Sequence, residues 1–274
     1  MNQDVKFESP TFFQRLKGML GVDFYRLFHT PLFYIFLAIA AIIPAMILGM
    51  TGMANPETGE INRMYTNTWQ VVAAETPLYI VNDIAEYANM NMVFIFGGIM
   101  VSIFIGHDYK SGYVKQLFTT HAKKQDYMMS KTITCAFAMA CMCITYLFGT
   151  VIAGALTQTS FAVNAGSLII AILSKIIMSL GWASLYTFLN IIFRRYFGIS
   201  IASSFFFGTG VLIIGAAAIL GNSSILNIFL YGSSVYACLS STIITLLVCI
   251  LNSVIWAIVY NIIGTYILYK SDVY

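Results

Sequence analysis

The chain has 274 residues, of which 59% are apolar and only 9% are charged, and its formal net charge is +3. Because about a quarter of the residues of a soluble globular domain are charged, this composition and a mean hydropathy of +0.82 exclude that class. The apolar runs are too long for the strands of a membrane barrel, so the sequence predicts an all-α polytopic membrane protein.

The first thirty residues predict an amphipathic helix. Apolar side chains recur at helical spacing: Phe13, Leu16, Leu20, Phe24 and Leu27. Polar side chains fill the remaining arc: Gln14, Arg15, Lys17, Asp23 and Arg26. We expect residues 1–30 to form an interfacial helix whose basic face meets anionic lipid headgroups. The alternative is a helix that packs on another domain.

Six apolar runs reach the length of about 20 residues that a transmembrane helix needs. They are Pro31 to Met50, Ala88 to Gly106, Thr132 to Leu156, Ser167 to Phe193, Phe197 to Leu220 and Ile243 to Tyr269. Residues 1–274 are thus predicted to be one transmembrane domain, with a six-span bundle over residues 31–269. A re-entrant hairpin over Gly221 to Thr242 remains open. Gly149 and Ala153, four apart in the third run, are spaced as in close helix contacts, although such pairs also occur by chance.

The longest polar stretch, Thr51 to Tyr87, separates the first two predicted spans. It contains one basic residue, Arg63, and several acidic ones: Glu57, Glu60, Glu75, Asp83 and Glu86. Such a segment is either a solvated acidic loop or an outer gate and landing site for a cationic substrate.

Lysine and arginine lie almost entirely on one side of the predicted bundle. Twelve of the 14 fall there: Lys6, Arg15, Lys17, Arg26, Lys110, Lys115, Lys123, Lys124, Lys131, Arg194, Arg195 and Lys270. The positive-inside rule makes that side cytoplasmic. We therefore expect a multi-pass protein of the cytoplasmic membrane with both termini inside the cell.

The predicted cytoplasmic loop 107–131 contains a short amphipathic segment. Val114, Leu117 and Phe118 share one helical face, whereas Lys110, Lys115 and Gln116 fall elsewhere. A helix this short does not fold alone, so its apolar face calls for a partner. The alternative is a basic loop that is merely solvated.

Lys175 is the only charged residue deep within a predicted span, and an intramembrane lysine costs roughly 2.5 to 3.5 kcal/mol at the bilayer centre on insertion scales. Its long side chain either snorkels toward the outer surface or pairs with an outer-loop carboxylate, or it faces a substrate cavity.

The chain contains no pattern for catalysis or metal binding. It has no G-x-x-x-x-G-K-[ST] phosphate loop and no H-E-x-x-H, so we expect neither an ATPase nor a metalloenzyme. The three histidines, His29, His107 and His121, lack metal-ligand spacing. Cysteines such as Cys141 and Cys143 are expected to be small apolar fillers, and nothing predicts a nucleic-acid partner.

The loop resembles the first cytoplasmic loop of ABC-2 type transporter permeases. That loop has an acidic residue, a Gly-Thr turn, a Leu-rich turn, a Pro-containing turn and a Lys that opens the third span. The matching places here are Asp108, Gly112 with Tyr113, Leu117 with Phe118, Thr120 with His121, and Lys131. Tyr113 replaces Thr and His121 replaces Pro. The N-terminal helix is similar to the elbow helix of the same family.

The resemblance implies a coupling helix that sits in a groove of a separate ATPase. Its implied coupling residues are Asp108, Gly112, Tyr113, Val114, Leu117 and Phe118. The implied partners are two copies of a P-loop ATPase, which bind ATP and Mg²⁺, and a second permease, identical or paralogous. The chain itself is expected to bind no cofactor.

The expected function is export of an amphipathic or hydrophobic substrate, best matched by a toxic or antimicrobial peptide. A chain with 21 Phe and 17 Tyr but few charges in its spans suits such a cargo better than a sugar or an ion. A lipid or drug exporter is the runner-up. The rivals from other classes are a membrane immunity protein or enzyme that needs no ATPase, and a channel.

Overall fold

The computed structural model describes residues 10–50, 52–54, 61–63, 67–69, 91–120, 122–210, 228–239 and 242–270. In chain order the helices of these ranges are α1 (Phe12–His29), α2 (Pro31–Met50), α3 (Asn91–Lys110), α4 (Tyr113–Thr119), α5 (Lys124–Thr157), α6 (Ala165–Ile192), α7 (Phe197–Gly208), α8 (Leu230–Leu239) and α9 (Ile243–Lys270). Between α2 and α3, two three-residue strands, β1 (Gly52–Ala54) and β2 (Ile61–Arg63), pair antiparallel with Gly52 opposite Arg63.

Within the described ranges, five helices are long and apolar enough to cross a membrane. They are α2, α3, α5, α6 and α9, which coincide with the first four predicted spans and the sixth. The chain is therefore a polytopic helical membrane protein. In the fifth predicted span, the structure describes the 12-residue helix α7, and residues 211–220 lie outside the described part. So do the five acidic residues of the predicted outer loop and His121.

The proposed re-entrant segment contains α8, a helix of 10 residues. At 1.5 Å per residue it is about 15 Å long, roughly half the thickness of the hydrocarbon core, so it does not cross a membrane by itself. It packs on α6 and α9. Residues 221–227, where the other arm of a hairpin would begin, lie outside the described part.

Helix α6 is the centre of the described bundle and contacts α3, α5, α7, α8 and α9. The indole ring of Trp182 stacks on Phe94 of α3 at 5.7 Å between ring centroids and on Tyr186 at 5.5 Å. Its N–H donates to Ser234 Oγ of α8 at 2.7 Å. A buried tryptophan whose polar atom is satisfied thus fixes two neighbouring helices against α6.

Helices α2 and α5 approach each other closely at Gly149. A Cβ atom built on Gly149 would lie 2.2 Å from the carbonyl oxygen of Ala41. Only glycine allows the two backbones to come this near, as in other membrane helix contacts built on small residues. Ala153, one turn further along α5, is also buried.

Helix α1 packs along the N-terminal part of α5. A single residue, Thr30, connects α1 to α2 in the chain. Leu16 and Leu27 are buried, in agreement with the apolar stripe. The expected orientation of the basic face toward lipid does not hold for Arg15 and Arg26. Both turn toward the protein, because carboxylates buried on α5 and α3 need a cationic partner.

The predicted loop 107–131 is shorter than expected. Helix α3 continues to Lys110 and α5 begins at Lys124, so residues 111–123, with α4 among them, form the connection. Asp108 and Lys131 therefore lie on helices. The hydropathy pattern predicts that the helices end near these charged residues. A charged residue that has a buried partner can instead lie within a helix.

Candidate functional site

Two carboxylates and two cations from three helices meet in a buried group that we call the ion cluster. Its members are Asp23 and Arg26 of α1, Asp108 of α3 and Lys131 of α5. Lys131 Nζ lies 2.6 Å from Asp23 Oδ1 and 2.6 Å from Asp108 Oδ2. Arg26 Nη2 donates to the other oxygen of Asp108. The formal charges cancel, so the cluster is compensated within the protein.

Neighbouring hydroxyl groups complete the hydrogen bonding of both carboxylates. Ser130 Oγ donates to Asp23 Oδ2 at 2.6 Å, and the Tyr127 hydroxyl donates to Asp108 Oδ2 at 3.4 Å. Every carboxylate oxygen of the cluster consequently has a donor. A buried charge is tolerated under this condition, and the removal of one partner becomes costly.

Aromatic rings form the wall of the ion cluster. The ring of Tyr113, the first residue of α4, lies 4.3 Å from Arg26 Cζ, and the ring of Phe104 lies 4.7 Å from Lys131 Nζ. Burial acts to lower the pKa of Arg26, but the attraction and hydrogen bond of Asp108 outweigh it, so the pKa is raised. Burial and nearby Asp23 raise the pKa of Tyr113, which stays neutral. Tyr113 thus connects α4 to the charges.

A second ion pair joins the start of α1 to the start of α5. Arg15 Nε lies 2.8 Å from Asp126 Oδ2, and Arg15 also donates to the carbonyl oxygen of Pro10 at 2.7 Å. Asp126 lies in the first turn of α5, where the helix dipole stabilises a negative charge. Helix α1 is therefore tied to α5 at two places.

The apolar face of α4 packs against the chain itself. Val114 is 1% exposed, and Leu117 and Phe118 are partly buried beside it. Their contacts form a small cluster that includes Tyr127, Met128, Ile191 and Leu268. The partner that the apolar face needs is, for Val114, the chain itself, because a seven-residue helix does not fold without such packing. The side chains that α4 exposes are Lys115, Gln116 and Thr119.

Gly112 makes the turn between α3 and α4. It precedes the first residue of α4 with φ of 74° and ψ of 6°, in the left-handed region. Its N–H donates to the carbonyl oxygen of Tyr109 at 3.2 Å, and its own carbonyl accepts from Gln116 N–H at 3.1 Å. The structure thus assigns this predicted residue to the turn that starts α4.

The structure divides the predicted coupling residues into two groups. Asp108, Gly112 and Tyr113 connect α3 and the ion cluster to the start of α4, and Val114, Leu117 and Phe118 form its inner face. Asp23 and Arg26 were not predicted as members of the site. The available signal was Asp23, an acidic side chain in an otherwise basic amphipathic helix.

Lys175 points into the protein. It is 1% exposed, and its Nζ lies 3.4 Å from the carbonyl oxygen of Ser234 in α8. The prediction that it snorkels to the outer surface is wrong, because α6 and α8 enclose the side chain. The adjacent Ser174 hydroxyl is buried and has no hydrogen-bond partner among the described residues. The outer-loop carboxylates lie outside those residues.

A further polar group joins α3, α6 and α7. Asn190 Nδ2 donates to Ser102 Oγ at 3.1 Å, and Ser102 Oγ lies 2.8 Å from Ser204 Oγ. The Ser200 hydroxyl donates to Asn190 Oδ1. Asn190 also donates to the carbonyl oxygen of Tyr186 at 2.8 Å. These buried bonds hold α7 on the bundle.

No protein-family model matches the chain, and no curated protein matches it. Among the described residues, no group of three or more His, Cys, Asp or Glu side chains is arranged to hold a metal ion. Cys135, Cys141, Cys143 and Cys249 are free thiols. Among the described residues, the ion cluster, the exposed side of α4 and Lys175 correspond to the sites that the sequence predicted.

Proposed function

We propose that the chain is the membrane subunit of an ABC-2 type exporter and that a separate P-loop ATPase binds the exposed side of α4. The observation that carries this proposal is the way in which α4 packs on the bundle. One side of this short helix is packed on the bundle next to the ion cluster, and the other side presents Lys115, Gln116 and Thr119. The excess of positive charge on this side supports a cytoplasmic position for α4.

The ion cluster gives a route from the ATPase to the spans. A push on α4 reaches Tyr113, which lies against Arg26, and then Asp108 and Lys131. Separation of the cluster would leave buried charges uncompensated, which costs several kcal/mol. Helices α1, α3 and α5 are consequently expected to move together when α4 moves.

The rest of the proposed machine is supplied by other chains. The ATPase, in two copies, binds ATP and Mg²⁺, and a second permease, identical or paralogous, completes the pathway. The bundle is proposed to lie in the cytoplasmic membrane and to have six spans. Both termini are then in the cytoplasm, as the charge pattern predicts. In this scheme α1 is the elbow helix at the cytoplasmic surface.

Crosslinking at α4 tests the ATPase contact. The photoreactive residue p-benzoylphenylalanine replaces Lys115 or Thr119, and the crosslinked partners from whole cells are identified by mass spectrometry. The expected product is a protein with a P-loop sequence. The matched control is Arg195, which is exposed in the turn between α6 and α7 at the same end of the bundle. A P-loop protein captured equally at Arg195, or at none of the sites, would contradict the proposal.

The proposed cargo is an amphipathic peptide, with lipids or hydrophobic drugs as the runner-up. Cells that lack the gene are expected to be hypersensitive to a cationic amphipathic peptide or to fail to secrete one. Lys175 is the pathway residue of this proposal, so Lys175→Met is expected to express normally and to reproduce the phenotype. A response only to a lipid or drug would overturn the peptide assignment and leave the exporter assignment standing.

A further inference from the structure

A groove of about 500 Å³ runs between α5 and α9, away from the ion cluster and Lys175. Its floor is formed by Leu180 of α6, and its walls are formed by side chains of the two flanking helices. The lining residues are Gln125, Met129, Thr132, Ile133, Leu180, Val254, Ala257, Ile258, Asn261, Ile262 and Thr265. Its volume is in the range of about 300–1,000 Å³ that is typical of small-ligand sites.

The groove has the length of one membrane leaflet. Along α9 it extends from Val254 to Thr265, which at 1.5 Å per residue is about 16 Å. The hydrocarbon core of a bilayer is about 30 Å thick, so the groove covers roughly half of it. Gln125, in the first turn of α5, lies at the end that the charge pattern makes cytoplasmic. The groove therefore opens toward the cytoplasmic leaflet.

The deep part of the groove is suited to hydrocarbon. Its side chains there are Ile133, Leu180, Val254 and Ile258. The polar groups beside these side chains already have partners, since Thr132 Oγ1 donates to Asn261 Oδ1 at 3.1 Å and Asn261 Nδ2 donates to the carbonyl oxygen of Ala257 at 2.8 Å. A polar molecule would find few hydrogen bonds in the deep part, whereas an acyl chain would bury apolar surface there.

Among the described residues, the side chains at the mouth of the groove include three lysines. Lys124 precedes Gln125, and its Nζ donates to the carbonyl oxygen of Leu268 and lies 5.8 Å from the ring of Tyr269. It therefore bridges the start of α5 and the end of α9, beside Lys123 and Lys270. Asp126 is the only acidic residue of α5, α6 and α9, and it is paired with Arg15. The lysines of the described part thus complement an anionic headgroup.

We propose that this groove binds one anionic phospholipid of the cytoplasmic leaflet. One acyl chain lies along α9 between Met129 and Val254, and the phosphate lies at Lys124. The proposal does not depend on the exporter function, because it rests only on the shape, polarity and charge of the groove.

Native mass spectrometry of the purified chain tests the proposal. Phosphatidylglycerol and phosphatidylcholine are each titrated onto the wild type and two tryptophan variants. Ile258→Trp fills the groove, and Ile255→Trp is its control, because Ile255 is similarly exposed on α9 (55% against 54%) but does not line the groove. We expect one saturable phosphatidylglycerol site that Ile258→Trp weakens about tenfold and Ile255→Trp changes less than twofold.

The lysine at the mouth allows a second test. Lys124→Gln is expected to weaken phosphatidylglycerol binding about fivefold, since one basic residue near a membrane surface contributes about that factor, and Lys115→Gln on α4 is expected not to. Equal affinity for the two lipids, or equal losses in both tryptophan variants, would overturn the proposal.

A photoreactive residue at Ile258 identifies the occupant in membranes. Crosslinked phospholipid supports the proposal. A crosslinked peptide, or a crosslinked second copy of the chain, would assign the groove to a different occupant and overturn it. This experiment does not use the tryptophan variants, so its result is valid even if one of them fails to fold.

Discussion

The ammonium group of Lys131 and the carboxylate of Asp23 lie 2.6 Å apart although 108 positions separate them in the chain. One belongs to the first helix and the other to a membrane span, and neither is accessible to solvent. Each charge is tolerated because the other is present. This pair therefore makes the position of α1 on the bundle sensitive to single charges.

Paired removal of these two charges is expected to be milder than removal of either one. Asp23→Asn and Lys131→Met each leave a net charge in the ion cluster, which costs about 3–5 kcal/mol for a buried pair. The double variant leaves Arg26 with Asp108, a neutral pair. Thermal stability in detergent, followed by fluorescence-detected size-exclusion chromatography, measures the effect. A double variant no more stable than the weaker single variant would contradict the idea of a compensated cluster.

Substitution of Gly112 is expected to loosen α4 through the backbone alone. A Cβ at this position meets nothing within 4 Å, so the cost of Gly112→Ala, about 1 kcal/mol, comes from the positive φ. Tryptic cleavage in the 111–123 connection should become several-fold faster. Gly112→Asn, whose side chain tolerates this conformation, should be cleaved more slowly than Gly112→Ala. Equal cleavage of both variants would argue against the left-handed turn.

Even a methyl group at Gly149 is expected to separate α2 from α5. The Cβ of Gly149→Ala would lie 2.2 Å from a backbone oxygen of α2, and a backbone atom cannot move aside as a flexible side chain can. We expect a loss of more than 2 kcal/mol, of the size seen for overpacking, as a lower melting temperature in detergent. Gly18→Ala, where nothing lies within 4 Å, is the control and should be neutral or slightly stabilising.

Cysteine labelling is expected to show the orientation. In a background without the native cysteines, Gly59→Cys should react with an impermeant thiol reagent added to intact cells, and Ser111→Cys should react only after permeabilisation. The reason is the excess of Lys and Arg on the side of Ser111. The reverse pattern would place α4 outside the cell and remove the proposed ATPase contact.

The spans could be predicted from the sequence because each depends on one local property. A run of about 20 apolar residues must be helical in lipid, whatever it packs against. For α7 and α8, the described helices are too short for that argument. The sequence predicted a fifth span over Phe197 to Leu220, which stays a prediction, and left a re-entrant hairpin open over Gly221 to Thr242.

The ion cluster could not be predicted, because it depends on contacts between distant residues. Asp23 and Arg26 have the spacing of a solvated helix face, and their partners lie 108 and 82 positions away. The pattern of α4 indicated one apolar face but not which surface covers it. Val114 proved to face the bundle, since the nearest apolar surface belongs to α5 and α9 of the same chain.

Helix α5 has 34 residues and contains no proline. At 1.5 Å per residue it is about 50 Å long, well beyond the hydrocarbon core of about 30 Å. Lys131 lies near its first end, and near the other end Gly154 is so close to Thr68 that a Cβ would come within 2.8 Å of that side chain. One continuous helix therefore extends beyond the hydrocarbon core and connects the regions at its two ends. A movement of α5 as a rigid body that starts at Lys131 is expected to reach Thr68, where a spectroscopic label would record it.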